Sequence, residues 1–221
     1  MVSFQSNGGT SEGYLAVPEQ GSGPGVIVIQ EWWGLVGHIM ALVDRFAAEG
    51  FVAFAPDLYH GATTGEPDEA QRLMMGLAMD QAAKDMAGAA AYLSRREECT
   101  GKVGTVGFCM GGSLSLWSAA LSDEISTAVG FYPAIPWERM RPDWDRYQGK
   151  TAVVHCSEED GTSAAEAAKK GIEAAGGEMI IYVYPGTHHA FMNDDRAEVY
   201  DPEAAALAWA RTIDHLRTHL A

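Results

Sequence analysis

The chain has 221 residues, of which 47% are hydrophobic, and its 15 Lys and Arg against 30 Asp and Glu give a formal net charge of −15. The apolar content excludes a disordered chain, and the length suits a single domain over residues 1–221 with one large core. The negative charge argues against nucleic acid or an anionic membrane as a partner.

Apolar runs and helical periodicities alternate along the chain. Strands are predicted, in chain order, over residues 11–17, 25–30, 51–55, 102–108, 128–132, 151–156 and 178–184. Helices are predicted over residues 39–47, 68–98 with a break near 76–80, 113–121, 163–175 and 206–220. Residues 133–149 contain two Trp and three Pro and are predicted to form an irregular cap or surface loop.

The order of these elements predicts an α/β fold with a mostly parallel central sheet and helices on both faces. The run GVIVIQ at residues 25–30 is almost fully apolar, as expected for a strand that is covered on both sides. In such sheets ligands bind at the carboxyl ends of the strands. We therefore expect the functional residues in the loops that follow the strands.

One of these loops has the sequence GFCMGG at residues 107–112 and joins a predicted strand to a predicted helix. A strand that turns sharply into a helix through G-x-C-x-G is a nucleophile elbow with Cys in place of the usual Ser. Cys109 would then stand at a helix N-terminus, where the helix dipole favours a thiolate. The alternative is that Cys109 is a buried structural residue beside a glycine-rich turn.

Two further groups follow later strands. Glu158, Glu159 and Asp160 come after the strand at residues 151–156, and His188 and His189 come after the last strand. A thiol nucleophile needs a base, and the base needs an acid to hold it in one tautomer. The order nucleophile, acid, His is that of α/β-hydrolases. This chemistry does not choose between the two His or among the three acids, and each could also be an ordinary surface residue.

Four segments resemble the dienelactone hydrolase family, a branch of the α/β-hydrolase fold. They are residues 30–34 (QEWWG), 55–59 (APDLY), 104–112 (GTVGFCMGG) and 184–191 (YPGTHHAF). The resemblance implies a hydrolase that opens a small lactone or ester through a thioacyl-enzyme. It implies Cys109 as nucleophile, Asp160 as acid and His189 as base.

The resemblance also implies an oxyanion hole made by the backbone N–H groups of Trp32 and Met110. Glu31 matches a Glu that contacts the resting thiol in the family, where a carboxylate would oppose thiolate formation. The alternative is that Glu31 only hydrogen-bonds nearby backbone.

Dienelactone hydrolases bind the carboxylate of their substrate through Arg side chains, so the resemblance implies a small, carboxylate-bearing lactone. Arg196, seven residues after His189, is a candidate for this contact, and Arg72 is another in the helix after Tyr59. Tyr59 is a candidate for lining the substrate pocket, as are Trp33, Trp137 and Phe191, and all four could instead pack in the core or cap.

We expect no cofactor and no metal, because the His residues lack ligand spacing with Cys or paired carboxylates. Three Cys do not form a disulfide framework and suit a reducing cytosol, and the N-terminus shows no signal-peptide pattern. We therefore expect a cytoplasmic protein that is a monomer or a small homo-oligomer. Two alternative functions are a broad carboxylesterase of the same fold and a non-catalytic ligand-binding or redox-sensing module that uses Cys109.

Overall fold

A single sheet organises the chain in the computed structural model, which describes residues 1–6 and 8–220. Its strands are β1 (Val2–Ser6), β2 (Gly9–Ala16), β3 (Gly23–Ile29), β4 (Val52–Pro56), β5 (Cys99–Phe108), β6 (Ile125–Phe131), β7 (Thr151–Ser157) and β8 (Glu178–Tyr184). They lie in the order β1-β2-β4-β3-β5-β6-β7-β8. The helices are α1 (Gly37–Ala48), α2 (Pro67–Gly76), α3 (Met79–Ser94), α4 (Met110–Leu121), α5 (Trp137–Met140), α6 (Ser163–Ala174) and α7 (Pro202–Leu220).

The sheet is parallel from β4 to β8, and the antiparallel strands β2 and β1 extend it at one edge. The strand β1 was not predicted from the sequence. In this edge strand only Phe4 and Ser6 are buried, so the segment lacks the continuous apolar run that marks the central strands. The mostly parallel sheet confirms the predicted α/β class.

Alternating residues of β5 show that both faces of the sheet are covered. Gly104 faces Leu216 and Leu220 of α7, whereas the Thr105 hydroxyl donates a hydrogen bond of 3.2 Å to the Ser115 carbonyl in α4. Successive residues of a strand point to opposite faces. The helices α4 and α7 therefore lie on opposite sides of the sheet, as predicted.

The face that carries α7 also carries α1. The Trp209 ring of α7 packs 4.6 Å from the Phe46 ring of α1, measured between centroids, and the Arg45 guanidinium lies 4.2 Å from the same Trp ring. Within the described residues, no helix combines the length and apolar character that a membrane span needs.

Several predicted segments differ in detail from the structure. The helix after the elbow begins at Met110 rather than at residue 113, because the elbow turns directly into the helix. Residues 133–149, predicted to be irregular, contain the short helix α5 and a 3-10 turn at Trp144–Tyr147. The predicted break in residues 68–98 is confirmed, since α2 ends at Gly76 and α3 begins at Met79.

Candidate active site

The elbow between β5 and α4 holds Cys109 in an unusual backbone conformation. Its φ of 55° and ψ of −117° lie outside the regions that side chains with a Cβ normally adopt. The Cys109 N–H donates to the Phe131 carbonyl at 3.0 Å, and the Gly112 N–H donates to the Cys109 carbonyl at 2.9 Å. These bonds fix a strained residue at the carboxyl edge of the sheet, where such strain commonly marks a functional site.

The glycines around Cys109 are required by close backbone approach. A Cβ added to Gly107 would lie 1.9 Å from the Gly111 carbonyl oxygen. A Cβ added to Gly111 would lie 2.4 Å from the Ile29 carbonyl oxygen in β3. Because real Cβ atoms do not approach a backbone oxygen so closely, the strand-to-helix turn can form only with glycine at these positions.

His189 and Asp160 form a pair beside the elbow. The His189 Nδ1 atom lies 2.8 Å from the Asp160 Oδ2 atom. Ser157, at the end of β7, donates a hydrogen bond of 2.6 Å to the same Oδ2 atom and accepts one of 3.1 Å from the Asp160 N–H. Of the candidates that the residue chemistry left open, the structure therefore brings His189 and Asp160 together.

Glu158 and Glu159 have a different place, which the sequence analysis did not predict. The Glu158 carboxylate accepts a hydrogen bond of 2.7 Å from the Gly186 N–H, and the Glu159 carboxylate accepts one of 2.8 Å from the His189 N–H. His188 lies outside the pair, with its Nδ1 atom 3.4 Å from Glu159. The two Glu therefore fix the backbone of the loop that carries His189.

The pair shifts the proton affinities of both groups. Burial by itself would lower the pKa of His189, but the hydrogen bond to Asp160 and the influence of Cys109 outweigh it and raise the pKa to about 10. Burial would raise the pKa of Asp160, but its hydrogen bonds from His189 and Ser157 outweigh that effect and lower it. The pair therefore favours the protonated form of His189.

Cys109 and His189 open into one cavity of about 190 Å³. Its walls are formed by Glu31, Trp32, Trp33, Met74, Cys109, Ala134, His189, Ala190 and Arg196. Trp32 comes from the loop after β3. Met110 is the first residue of α4, so its N–H has no acceptor within the helix. Trp32 thus lines the same cavity as Cys109, and Met110 directly follows Cys109 in the chain.

Glu31 is buried in the wall of this cavity. Its Oε2 atom accepts a hydrogen bond of 2.8 Å from the Asn193 side chain, and its Oε1 atom lies 3.5 Å from the Tyr132 hydroxyl. Burial raises the pKa of Glu31, and the charge of His38 and the bond from Asn193 oppose this rise. The partners of Glu31 are therefore side chains rather than the nearby backbone expected in the structural alternative.

Arg196 also lies in the cavity wall, but its guanidinium already forms an ion pair with Glu198. The Arg196 Nη2 and Nε atoms lie 2.8 Å and 2.9 Å from the Glu198 Oε1 atom. The guanidinium carbon lies 5.7 Å from the centre of the Trp33 ring. Any substrate carboxylate would thus compete with Glu198 for this cation.

The structure does not bring Arg72 to this cavity, which corrects the prediction that it joins the substrate site. Arg72 is exposed on α2, where it pairs with Glu69, and it faces a separate cavity of about 360 Å³. Its helical register could not be fixed from the sequence. Tyr59 lines the same separate cavity, and its hydroxyl lies 3.3 Å from the sulfur of Met110 in the elbow.

Of the other aromatic candidates, Trp33 lines the cavity and the remaining two pack elsewhere. Phe191 is fully buried, and its ring lies 5.5 Å from the Tyr132 ring. Trp137 donates a hydrogen bond of 2.8 Å to the Ala164 carbonyl and packs 5.3 Å from Trp144. Among residues that the sequence analysis missed, Met74 and Ala134 line the cavity and Asn193 holds Glu31.

Residues 11–220 match the family model described as the dienelactone hydrolase family. The chain belongs to the dienelactone hydrolase family. Dienelactone hydrolases are hydrolases, so the chain is an enzyme of this class, and the alternative of a non-catalytic module is not supported.

Two relatives and one solved structure illustrate the similarity. "Protein usf" of Aquifex pyrophilus is 38% identical, covering 100% of this chain and 98% of that protein. A protein of Aquifex aeolicus provisionally named a carboxymethylenebutenolidase is 32% identical, covering 100% of this chain and 98% of that protein. A crystal structure of a provisionally named dienelactone hydrolase from Klebsiella pneumoniae has 26% identity and a TM-score of 0.83, covering 96% of this chain and 95% of that one. The α/β-hydrolase fold is thereby confirmed.

The pair of His189 and Asp160 generates a prediction about proton affinity. Asp160→Asn keeps the side-chain size but removes the charge, so the pKa of His189 should fall by roughly one to three pH units. NMR titration of histidine-labelled protein measures this pKa, with His188→Gln to assign the neighbouring signal.

The folded pKa of His189 exceeds the ordinary value of 6.5. The contribution of His189 to the free energy of unfolding is therefore complete below about pH 6.5 and declines toward pH 10. An unchanged His189 midpoint in Asp160→Asn would contradict the assignment of this pair.

Proposed function

We propose that this enzyme opens a small lactone or ester through a thioacyl-enzyme on Cys109, with His189 as acid and base and Asp160 as its orienting carboxylate. One observation carries the proposal. The strained Cys109 of the elbow and the His189 imidazole line the same cavity, and the Nδ1 atom of His189 lies 2.8 Å from the Asp160 Oδ2 atom. This geometry leaves Nε2 of His189 for proton transfer at the reacting atoms.

The proposed reaction has two steps that balance in atoms and charge. In the first step His189 holds the proton taken from the Cys109 thiol, and the thiolate sulfur attacks the carbonyl carbon. The carbon–oxygen bond of the ester then breaks, and His189 gives this proton to the leaving oxygen. Water then attacks the thioester and gives a proton to His189. The carbon–sulfur bond breaks, and the carboxylic acid product leaves. The N–H groups of Trp32 and Met110 are proposed to bind the oxyanion in both steps, each worth about 3–4 kcal/mol.

Glu31 is proposed to tune the resting thiol. It shares the cavity with Cys109, and burial raises its pKa. A carboxylate beside the sulfur would oppose the thiolate form, whereas the cationic His189 favours it. The hydrogen bond from Asn193 keeps Glu31 at this position.

The cavity supports a small substrate. Its volume of about 190 Å³ and its walls from Trp33, Met74 and Ala134 suit a compact acyl or lactone group. Arg196 places a guanidinium in this wall and is proposed to bind a substrate carboxylate. The pairing of Arg196 with Glu198 is the observation that favours the second candidate, a carboxylesterase for small neutral esters.

The nucleophile is tested by comparing the three cysteines. Cys109→Ala should abolish turnover of para-nitrophenyl acetate, whereas Cys99→Ala and Cys156→Ala should keep most of it. Cys156 is a suitable control because it is also buried, and burial raises its pKa to about 11, which keeps it a thiol at neutral pH. Substantial turnover by folded Cys109→Ala protein would refute the proposed mechanism.

Substrate charge is tested at Arg196. A hydrogen bond to a charged group contributes about 1.5–3 kcal/mol. Arg196→Ala should therefore lower kcat/KM for a carboxylate-bearing lactone by roughly tenfold or more and barely change it for a neutral aryl ester. Glu198→Gln should raise kcat/KM for the anionic lactone, because the competing carboxylate is gone.

Arg72→Ala serves as the matched control for Arg196, because it removes the same charge from a side chain outside the catalytic cavity. Equal losses on both substrates in Arg196→Ala would assign Arg196 a purely structural role. A wild-type preference for the neutral ester would favour the carboxylesterase candidate.

A further inference from the structure

The helix α2 forms a wall between two cavities. Met74, in its last turn, lines the catalytic cavity of about 190 Å³. Leu73 and Gly76 line the neighbouring cavity of about 360 Å³. The helix α2 therefore contributes side chains to both cavities.

Few interactions hold α2 in that position. Of its ten residues only Ala70 is fully buried, and Met74 is half-buried against the core, so hydrophobic burial holds the helix at few points. Met75 next to Met74 is 62% exposed. Helices in proteins depend mainly on tertiary packing of an apolar face for their stability, so α2 needs another attachment.

Arg139 of α5 supplies that attachment. Its Nη1 donates a hydrogen bond of 3.1 Å to the Met74 carbonyl, and its Nη2 donates bonds of 2.7 Å and 3.3 Å to the Met75 and Leu77 carbonyls. The last carbonyls of a helix lack intrahelical donors, and a cation there also interacts favourably with the helix dipole. One guanidinium thus caps the C-terminal end of α2.

The short helix α5, which carries Arg139, is itself attached to the rest of the protein. Trp137, at the start of α5, donates a hydrogen bond of 2.8 Å to the Ala164 carbonyl in α6. Met140, at the end of α5, is buried. Arg139 lies between these two residues and therefore reaches α2 from a fixed base.

We propose that Arg139 is a positioning residue that latches α2, so that Met74 closes the catalytic cavity and restricts the enzyme to substrates with short acyl chains. The inference rests on the proposed esterase function of that cavity. Loss of the three hydrogen bonds frees the end of α2, and the catalytic cavity then opens toward the larger neighbouring one. Arg139 itself is not among the residues that line the catalytic cavity.

The test compares Arg139→Ala with wild type on para-nitrophenyl acetate, butyrate and octanoate. The ratio of kcat/KM for octanoate to that for acetate should rise by roughly tenfold, because a closed hydrophobic pocket discriminates by about this factor or more. The rise should come mainly from a lower KM for the long ester. Arg139→Lys, which keeps the charge but not the planar fork, should give an intermediate ratio.

Arg146→Ala is the matched control, because it removes the same charge from the same segment of chain while its partner is Asp123 rather than α2. Hydrogen exchange provides a second readout that does not depend on turnover. The amides of α2 should exchange faster in Arg139→Ala than in wild type or Arg146→Ala. Met74→Ala should widen the chain-length range without changing this exchange.

An Arg139→Ala protein with wild-type chain-length preference and wild-type exchange in α2 would overturn the latch. Faster exchange in α2 without a shift in chain-length preference would also overturn it, because the helix would then move without controlling the cavity. If wild type hydrolyses none of the three esters, the proposed function fails. In that case the exchange rates alone decide whether Arg139 holds α2.

Discussion

The close approach of three backbone segments at the elbow is the constraint on which the site depends. The carbonyl oxygens of β3 and of the first turn of α4 lie so near Gly107 and Gly111 that neither position can hold a Cβ. This contact forces the chain to reverse at Cys109 with a positive φ. The strain is balanced by the packing of the surrounding sheet and helix, which over-determine the turn. The nucleophile candidate is thus placed by backbone packing rather than by its own side chain.

The rest of the site follows from parallel strands ending at the same edge. The loop after β7 brings Asp160, and the loop after β8 brings His189. The strands fix only the approximate place of these loops, and hydrogen bonds from side chains within the loops fix the positions of Asp160 and His189. Ser157 orients the Asp160 carboxylate, while Glu159 holds the His189 backbone. The acidic run at residues 158–160 therefore divides into one partner for the imidazole and two carboxylates that fix its loop.

Local burial, not net charge, controls the electrostatics of the cavity. The chain carries −15 overall, yet the cavity contains the cationic His189 and Arg196. Charges on the distant surface are screened by solvent, whereas groups within the cavity interact through a medium of lower polarity. Burial raises the pKa of Glu31 in the wall of the same cavity, while the charges of His38, His189 and Arg196 oppose this rise. A single site can thus hold an acidic and two basic groups close together.

The central sheet and the elbow were predictable because both depend on local signals, namely apolar runs and a Gly-x-Cys-x-Gly turn. The choice of His189 and Asp160 came from family resemblance, since residue chemistry could not rank neighbours in one loop. Arg72 was placed wrongly because an exposed helix has no pattern that fixes its register. The contact between Arg139 and α2 joins segments far apart in the chain, so no local pattern could reveal it.

The most direct measurement is to trap the covalent intermediate on the wild-type enzyme. Rapid acid quench during turnover of para-nitrophenyl acetate, followed by peptide mass spectrometry, locates any acetyl group. The account predicts one acetyl group on Cys109, in a bond that hydroxylamine cleaves. Acetylation of another residue, or release of nitrophenol at the rate of turnover without any acetyl-Cys109, would contradict it.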